Sequence, residues 1–506
     1  MGKRNNNRQV LLRPRQIYKG AMGKKNNTDD RLSALLDDIL VNILDRLNAP
    51  EAARTSILSR RWSQLSAELS RLIINARDFV PEGVTITNIS FDHMNAAAAE
   101  ATKNMLARRN PGEHTISLLS TAFFLRDGVP KSIGHAVGIA MVTHKIEKVE
   151  FTVLTEKKRL QCTVDEMEKY GAQFVSFFSG CLDAFSGLTR LYLENLRLAE
   201  RDFVSTIVAT CKQLKYLGFV NCETEMWMTH EVEHAELSEL SFEDCTFGKV
   251  ELKWLPRLTR VKFEIWRSFV ELPLSFGHVP LLEAVTLIHI AHSWHKMVKL
   301  STLLFETSVK ELHLGFRCEK IWVEPECLTR RLASAFQQLR IVNLDCIPEG
   351  YDLTWTMFIL EAAPSLEELY MTVMDHPCEM QMDEEERRKR LYSENKGVEW
   401  ESTSTSNFKH HHLTKLIIFC FESCMVSYVR RVMRAAVNLK DVYLYDRLTC
   451  DDCEDLEPLK PTTFPLSKKH RCSMRKQMTQ GFESHARIRF LDHAVMADDH
   501  SKMILY

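Results

Sequence analysis

Two hydrophobic periods divide the chain. From Leu36 to Leu47 the apolar residues Leu36, Ile39, Leu40, Ile43, Leu44 and Leu47 fall three and four apart, which places them on one stripe of an α-helix. Asn48 breaks the stripe. With Pro50 in the first turn and Glu51 three residues on, it predicts an N-cap with a reciprocal acid and the start of a second helix. After Ile57 and Leu58, the spacing of Trp62, Leu65, Leu69 and Leu72 predicts a third helical segment. A module of about 45 residues buries too little surface to be stable unaided, so a partner surface is expected.

Downstream the period changes to apolar, two others, apolar, one other, apolar. It recurs as Leu188-Leu191-Leu193, Leu214-Leu217-Phe219, Leu237-Leu240-Phe242, Leu258-Val261-Phe263 and Leu282-Val285-Leu287. It continues as Val309-Leu312-Leu314, Leu339-Val342-Leu344, Leu366-Leu369-Met371, Leu413-Leu416-Ile418 and Leu439-Val442-Leu444. Successive first residues lie 21 to 30 apart, except for one interval of 47, close to the roughly 20–29 of leucine-rich repeats. Ile146-Val149-Phe151 is an eleventh candidate upstream. The closely spaced pair marks a strand whose alternate residues face inward. No such unit buries its apolar edge alone, so the run predicts a curved solenoid with an open parallel sheet on one face. Polar or thiol residues follow several strands, at Asn195, Asn221-Cys222, Asp244-Cys245 and Asp345-Cys346, where they are expected to satisfy turn backbone.

That geometry sends Tyr192, Tyr216, Lys262, His313, Tyr370, Tyr443 and Tyr445 to the open face, among charges of both signs such as Arg190, Glu243 and Glu311. Mixed charge with several tyrosines suits a protein target, although any one of these residues reads equally as a solvated position. The interval of 47 holds the run Met382 to Arg390, rich in both charges, and then Ser402 to Ser406. It reads as a long charged insertion, spanning 376–411, whose first part suits a short helix of acid-to-base pairs.

Composition narrows the function. The 506 residues carry 66 basic and 67 acidic side chains, a formal charge of -1, so there is no global field to steer nucleic acid or an anionic membrane. The first 25 residues hold eight Lys and Arg and no acid among Asn-rich sequence, which predicts a basic leader without a core. The opening Met1-Gly2 is not followed by the Ser or Thr that myristoylation requires at position six, which is Asn6. No apolar run reaches the roughly 20 residues of a membrane helix, and the start lacks a secretory core. An intracellular protein with reduced thiols is therefore expected, in the nucleus or the cytoplasm, and Cys222, Cys245 and Cys346 read as small buried hydrophobes.

Chemical motifs are sparse. Cys450 and Cys453 have zinc-like spacing, with His470 and Cys472 beyond, but no second close cysteine pair follows, so no metal and no cofactor is expected. His410-His411-His412 reads as exposed loop. There is no phosphate loop, nucleophile elbow or metalloprotease helix, and no catalytic residue is assigned.

The runs Asp30-Arg31-Leu32-Ser33-Ala34-Leu35-Leu36-Asp37-Asp38-Ile39-Leu40 and Ala52-Ala53-Arg54-Thr55-Ser56-Ile57-Leu58-Ser59-Arg60-Arg61-Trp62 resemble the F-box of plant F-box/leucine-rich-repeat proteins. Val429 to Met433, Asn438 to Val442 and Cys472 to Gln477 resemble the closing segments of monocot-type members. The resemblance implies an α/β fold: a small helical F-box, then a leucine-rich-repeat solenoid with a curved parallel sheet and helices or loops on the convex side. It implies a leader at 1–28, an F-box at 29–75, a linking or capping region at 76–145, the solenoid at 146–450 and a cap or tail at 451–506. It implies docking to a Skp-type adaptor of a cullin and RING ubiquitin ligase through Leu35, Asp37, Ile39, Leu40, Ile43, Leu58 and Trp62. Leu36 stands where the family carries proline, a departure expected to loosen the helix start and weaken docking modestly; Ser66 replaces a frequent Trp. The expected role is a non-catalytic adaptor that holds a protein target. The alternative is a stand-alone repeat scaffold without ligase coupling.

Overall fold

The computed structural model describes residues 35–495 apart from 56, 66, 81–87, 111–113, 127, 199–202, 226–227, 267–273, 291–295, 317–320, 350, 375–407 and 450–462. The basic leader, most of the charged insertion and the Cys450 to Cys453 pair therefore lie outside the described residues.

Three short helices, α1 (Asp37–Leu44), α2 (Ala49–Thr55) and α3 (Arg60–Leu65), open the described chain. Asn48 caps α2 as expected: its Oδ1 accepts the Glu51 N–H at 2.9 Å. The third helix ends at Leu65, earlier than its spacing predicts, and Leu72 lies in a strand, β1 (Arg71–Asn75). Leu69, Leu72 and Ile74 also fit the repeat pattern, and a step of three satisfies both periods. Here tertiary pairing decides: β1 runs parallel to β2 (Leu118–Phe124) with Leu72 opposite Leu119.

Fourteen parallel strands form the main sheet. After β1 and β2 come β3 (Val149–Leu154), β4 (Arg190–Glu194), β5 (Tyr216–Val220), β6 (Thr229–Glu233), β7 (Glu239–Glu243), β8 (Lys249–Trp254) and β9 (Arg260–Trp266). They are followed by β10 (Leu274–His278), β11 (Ala284–His289), β12 (Glu311–Gly315), β13 (Ile341–Ile347), β14 (Glu368–Val373), β15 (Lys415–Phe419), β16 (Asp441–Thr449) and β17 (Arg487–Val495). The main sheet runs in chain order but skips β6, β8 and β10, which pair with each other as a separate three-stranded sheet. The solenoid thus reaches into both the region expected to link, through β2, and the region expected to be a tail, through β17.

Register explains the core. One inward row runs Phe151, Leu191, Leu217, Leu240, Val261, Val285, Leu312, Val342, Leu369, Leu416 and Val442. Every one of these side chains is buried. The convex layer over them depends on repeat length. Repeats of 26 or more residues have room for a helix behind the sheet. Those starting at 214, 237 and 258 are 23, 21 and 24 long and place β6, β8 and β10 there instead. The expectation of helices or loops on that side is corrected for these three. At the N-terminal end, α4 (Val129–Thr143) and α5 (Val164–Gly180) close over an aromatic core, in which Phe123 and Phe151 lie 5.6 Å apart and Phe177 and Phe185 5.0 Å apart, edge to face.

Strand ends turn sharply through left-handed residues: Asn195 (φ 56), Asn221 (φ 48), Asp244 (φ 51), Cys346 (φ 52) and Cys420 (φ 53). Asn and Asp tolerate this region because their short polar side chains bond locally. Asn195 Nδ2 donates to Lys157 O at 2.9 Å, and Asn221 Nδ2 donates to Asn195 Oδ1 at 2.6 Å, a ladder across adjacent repeats. At the thirteenth strand the left-handed residue is Cys346, one place after Asp345.

Only the first of the three histidines departs from the exposed loop expected of them, since His411 and His412 are exposed. His410 is buried, its Nε2 donates to Ala363 O at 2.9 Å, and its Nδ1 accepts the N–H groups of His412 and Leu413. His234 does the same, with Nε2 to Cys211 O at 3.0 Å and Nδ1 accepting from Glu236 and Leu237. Each histidine sits three residues before the first leucine of a repeat and closes the turn into its strand.

Candidate functional site

Two surfaces carry the candidate residues. At the F-box, α1 turns Leu40 and Leu44 inward while Leu36, Ile39 and Ile43, spaced three and four apart, face outward. Leu36 is 71% exposed, Ile57 83% and Leu58 70%, although all three are large hydrophobes. Arg61 ties α3, which Ile57 and Leu58 precede, to the start of α1: it bonds Asp37 Oδ1 at 2.7 Å through Nε and Leu35 O at 2.6 Å through Nη2. Small soluble surfaces rarely leave such apolar residues grouped without a partner.

Four of the expected docking residues stand elsewhere than on this patch. Leu40 is fully buried and Trp62 is 8% exposed, because both pack inward with Leu44, Leu65, Leu69 and Leu72 in the core that continues into the solenoid. Their side chains face the chain itself, so in the free chain they pack the module and are not on its open surface. Asp37 is engaged by Arg61, and Leu35 is half-buried and packed against the core. Ile39, Ile43 and Leu58 lie on the exposed patch. Leu36 and Ile57 were missing from the sequence-derived set. Their hydrophobicity was visible, but the face they occupy depends on where α1 begins and on how α2 turns into α3.

The helical module is fixed to the sheet. Asp45, which ends α1, accepts the Ser70 hydroxyl at 2.7 Å and the Arg71 N–H at 3.1 Å, and buried Arg109 donates to Leu69 O at 2.8 Å. Burial pushes the Arg109 guanidinium below its ordinary range, with Asp45 opposing.

On the concave face the predicted row is found in register. Tyr192, Lys262, His313, Tyr370 and Tyr443 all belong to the row two residues past the strand start, and Tyr216 to the row before it. Tyr216 lies along its own strand over Gly218, where an added Cβ would meet its hydroxyl at 2.5 Å, and the Arg190 guanidinium sits 3.5 Å from its ring centre. Tyr370 donates to Glu368 at 2.5 Å, and Lys415 holds the same carboxylate at 2.8 Å. Burial raises the Tyr192, Tyr216 and Tyr370 hydroxyls above their ordinary range, so these tyrosines stay neutral. Tyr445 differs from the expectation: it is buried and stacked on Phe419 at 4.8 Å, so it supports the face and is not open to a target.

Between these tyrosines His313, already expected on the face, is joined by Asn343 and by Thr372, which the sequence did not single out. His313 Nε2, Asn343 Oδ1 and Thr372 Oγ1, on β12, β13 and β14, are buried without a hydrogen-bond partner. Buried polar atoms are nearly always paired, so these three mark a stretch of the face with unmet hydrogen-bonding capacity. Thr372 replaces the charged or aromatic residues that marked the rest of the face, so nothing in its type signalled it.

Among the described residues no group of three or more His, Cys, Asp or Glu is placed to hold a metal ion, and no helix is long and apolar enough to cross a membrane.

Comparison with known proteins agrees with this architecture. An F-box domain model matches residues 32–73. An Arabidopsis thaliana F-box protein, At1g80960, is 35% identical over 74 residues, 15% of this chain and 14% of that protein. The putative F-box protein At1g67390, also from Arabidopsis thaliana, is 27% identical over 211 residues, 39% of this chain and 41% of that protein. The chain thus spans less than half the length of either relative. The model of the At1g61320/AtMIF1 LRR domain matches residues 142–484, more than half of the chain. With parallel strands, inward leucine rows and an F-box ahead of them, the chain belongs to the At1g61320/AtMIF1 leucine-rich-repeat family and is a plant-type F-box/leucine-rich-repeat protein.

Proposed function

We propose that this chain is the target-recognition subunit of a Skp/cullin/F-box ubiquitin ligase, without catalytic chemistry of its own. The exposed apolar group Leu36, Ile39, Ile43, Ile57 and Leu58 would dock the Skp-type adaptor, and the concave row from Tyr192 to Tyr443 would hold a protein target. The observation that carries the reading is the pairing of an uncovered apolar patch on the F-box with firm attachment of its other side to the sheet. That attachment would hold a target at a set distance from the ligase, making transfer to its lysines effectively intramolecular.

The test is co-purification of the full chain with a plant Skp adaptor, wild type against an Ile57→Ala, Leu58→Ala double variant. Each exposed side chain buried at an interface contributes roughly 1.5–3 kcal/mol, so the double variant should lose at least about a hundredfold in adaptor affinity while unfolding at an unchanged temperature. A folded wild type that fails to bind would overturn the ligase reading and leave the stand-alone repeat scaffold.

A further inference from the structure

At the rim where the strands begin, the side chains just before each strand form their own ladder. Lys310 pairs with Glu283 at 2.5 Å, and Arg340 with Glu367 at 3.2 Å. The next rungs are Thr414 and Lys440, so the position beside Lys440 carries a hydroxyl where the positions beside Lys310 and Arg340 carry a carboxylate. A cavity of about 790 Å³ opens at this point, lined among others by Lys440, His411, His412, His485, Arg487 and Glu367. Its acids are already engaged: Glu367 by Arg340, and neighbouring Asp441 by Arg487 at 2.9 Å.

The loop that carries two of the histidines is braced from beneath. Buried His410 holds the His412 and Leu413 N–H groups. His412 directs its own Nδ1 to Pro364 O at 2.9 Å, and Asn438 Nδ2 donates to His411 O at 2.8 Å. His411, Lys440, His485 and Arg487 thus line one space from three separate segments.

We propose that this rim cavity binds a phosphate group. A planar carboxylate offers two oxygens in one plane, whereas a phosphate offers three strong acceptors in a tetrahedral spread, with a charge of about -1.5 to -2. Donors arriving from three directions match the second shape. The ammonium supplies the charge, the guanidinium and imidazoles the directed N–H bonds. The site lies off the concave row and does not depend on ligase coupling.

The experiment is isothermal titration of the purified full chain with inorganic phosphate, with sodium acetate, and with a short phosphoserine peptide and its unphosphorylated form. Lys440→Ala and His485→Ala are compared with Lys310→Ala, a rim lysine whose carboxylate partner is present. Saturable phosphate binding should fall about tenfold or more in Lys440→Ala, the loss of one charge-assisted bond, several-fold in His485→Ala, and little in Lys310→Ala. A phosphopeptide that binds more tightly than inorganic phosphate identifies a phosphorylated protein segment as the source; equal affinities identify the free anion. Absence of saturable phosphate binding, acetate binding as well as phosphate, or equal losses in Lys440→Ala and Lys310→Ala would each overturn the proposal. All three positions are on the surface, and a matching thermal unfolding curve for each variant separates lost binding from lost folding.

Discussion

The F-box and the repeat sheet solve the same burial problem differently. In the sheet, a period of two sends one set of side chains inward and leaves mostly polar residues outside, and every repeat is covered by the next. In the F-box, α1 is apolar on more than one side. Leu40 and Leu44 lean on the solenoid while Leu36, Ile39 and Ile43 face away from it. The sheet can therefore stand on its own contacts, whereas the helical module needs the sheet behind it and leaves an apolar surface in front. That contrast locates a partner surface better than hydrophobicity alone, since the most hydrophobic part of the molecule is the sealed interior of the repeats.

The largest expected effect breaks the module away from the sheet. Trp62 is the bulkiest side chain in their shared core, and Trp62→Ala should cost roughly 3–5 kcal/mol. Hydrogen exchange should quicken in α1 to α3 and in β1 while the strands from β4 onward keep their protection. Uniform loss of protection along the sheet would show that the two regions fold as one cooperative unit and that the contrast is wrong.

An intermediate effect belongs to the sheet. His234 and His410 are held neutral by burial, which lowers the affinity of each imidazole for its proton. In the neutral form Nδ1 accepts two backbone N–H groups; a proton there would face them as a donor. The folded-state pKa lies below the unfolded one, so the stabilisation is present above the unfolded value of about 6.5 and is lost as the pH falls through the folded value. Thermal unfolding temperature should therefore decline below about pH 6.5. Replacement by Ala should cost about 1–3 kcal/mol per orphaned group at neutral pH and flatten that decline. An unchanged slope in the His234→Ala, His410→Ala variant would assign the acid sensitivity to other groups.

How far these features were legible follows from the residues. The strands β4, β5, β7, β9 and β11 to β16 announce themselves because the inward positions are apolar without exception. β2 carries Thr121 at an inward position and β17 has His485 where a leading leucine would stand, so both fell short of the pattern. β1 matched it but also matched a helix. The three convex strands were visible in principle: spacings of 21 to 24 leave no room for a helix, while those of 26 or more do. Within the F-box, composition marked the segment, but which face of α1 meets the solenoid is a tertiary fact. The same holds for His410, whose polar neighbours suggested solvent, although the recurrence of His three residues before a leucine at His234 was there to be read. The rim cavity depended on a missing rung, and the lack of a carboxylate beside Lys440, at Thr414 26 residues before it, shows only once the strands are in register.

The smallest effect concerns the start of α1. Leu36 is its N-cap, with φ at -66° and ψ at 152°, and no side-chain bond caps the helix there. That backbone is already the one proline imposes, so Leu36→Pro needs no movement of the chain and should stabilise the module by about 0.4–1 kcal/mol through the unfolded state. In the wild type the restraint comes instead from Arg61, which ties Leu35 O and Asp37 to α3. Combining Leu36→Pro with Arg61→Ala separates the two devices. If they serve one purpose, the proline should recover most of the stability that Arg61→Ala removes, as read from protection of α1 in hydrogen exchange. Adaptor affinity measured on the same variants completes the comparison, because Leu36 is itself part of the exposed patch. A stabilised α1 with weakened docking would show that this chain trades the rigidity of a proline for a side chain that meets the partner; unchanged docking would make the substitution neutral for binding and leave Arg61 as the sole compensation for the missing ring.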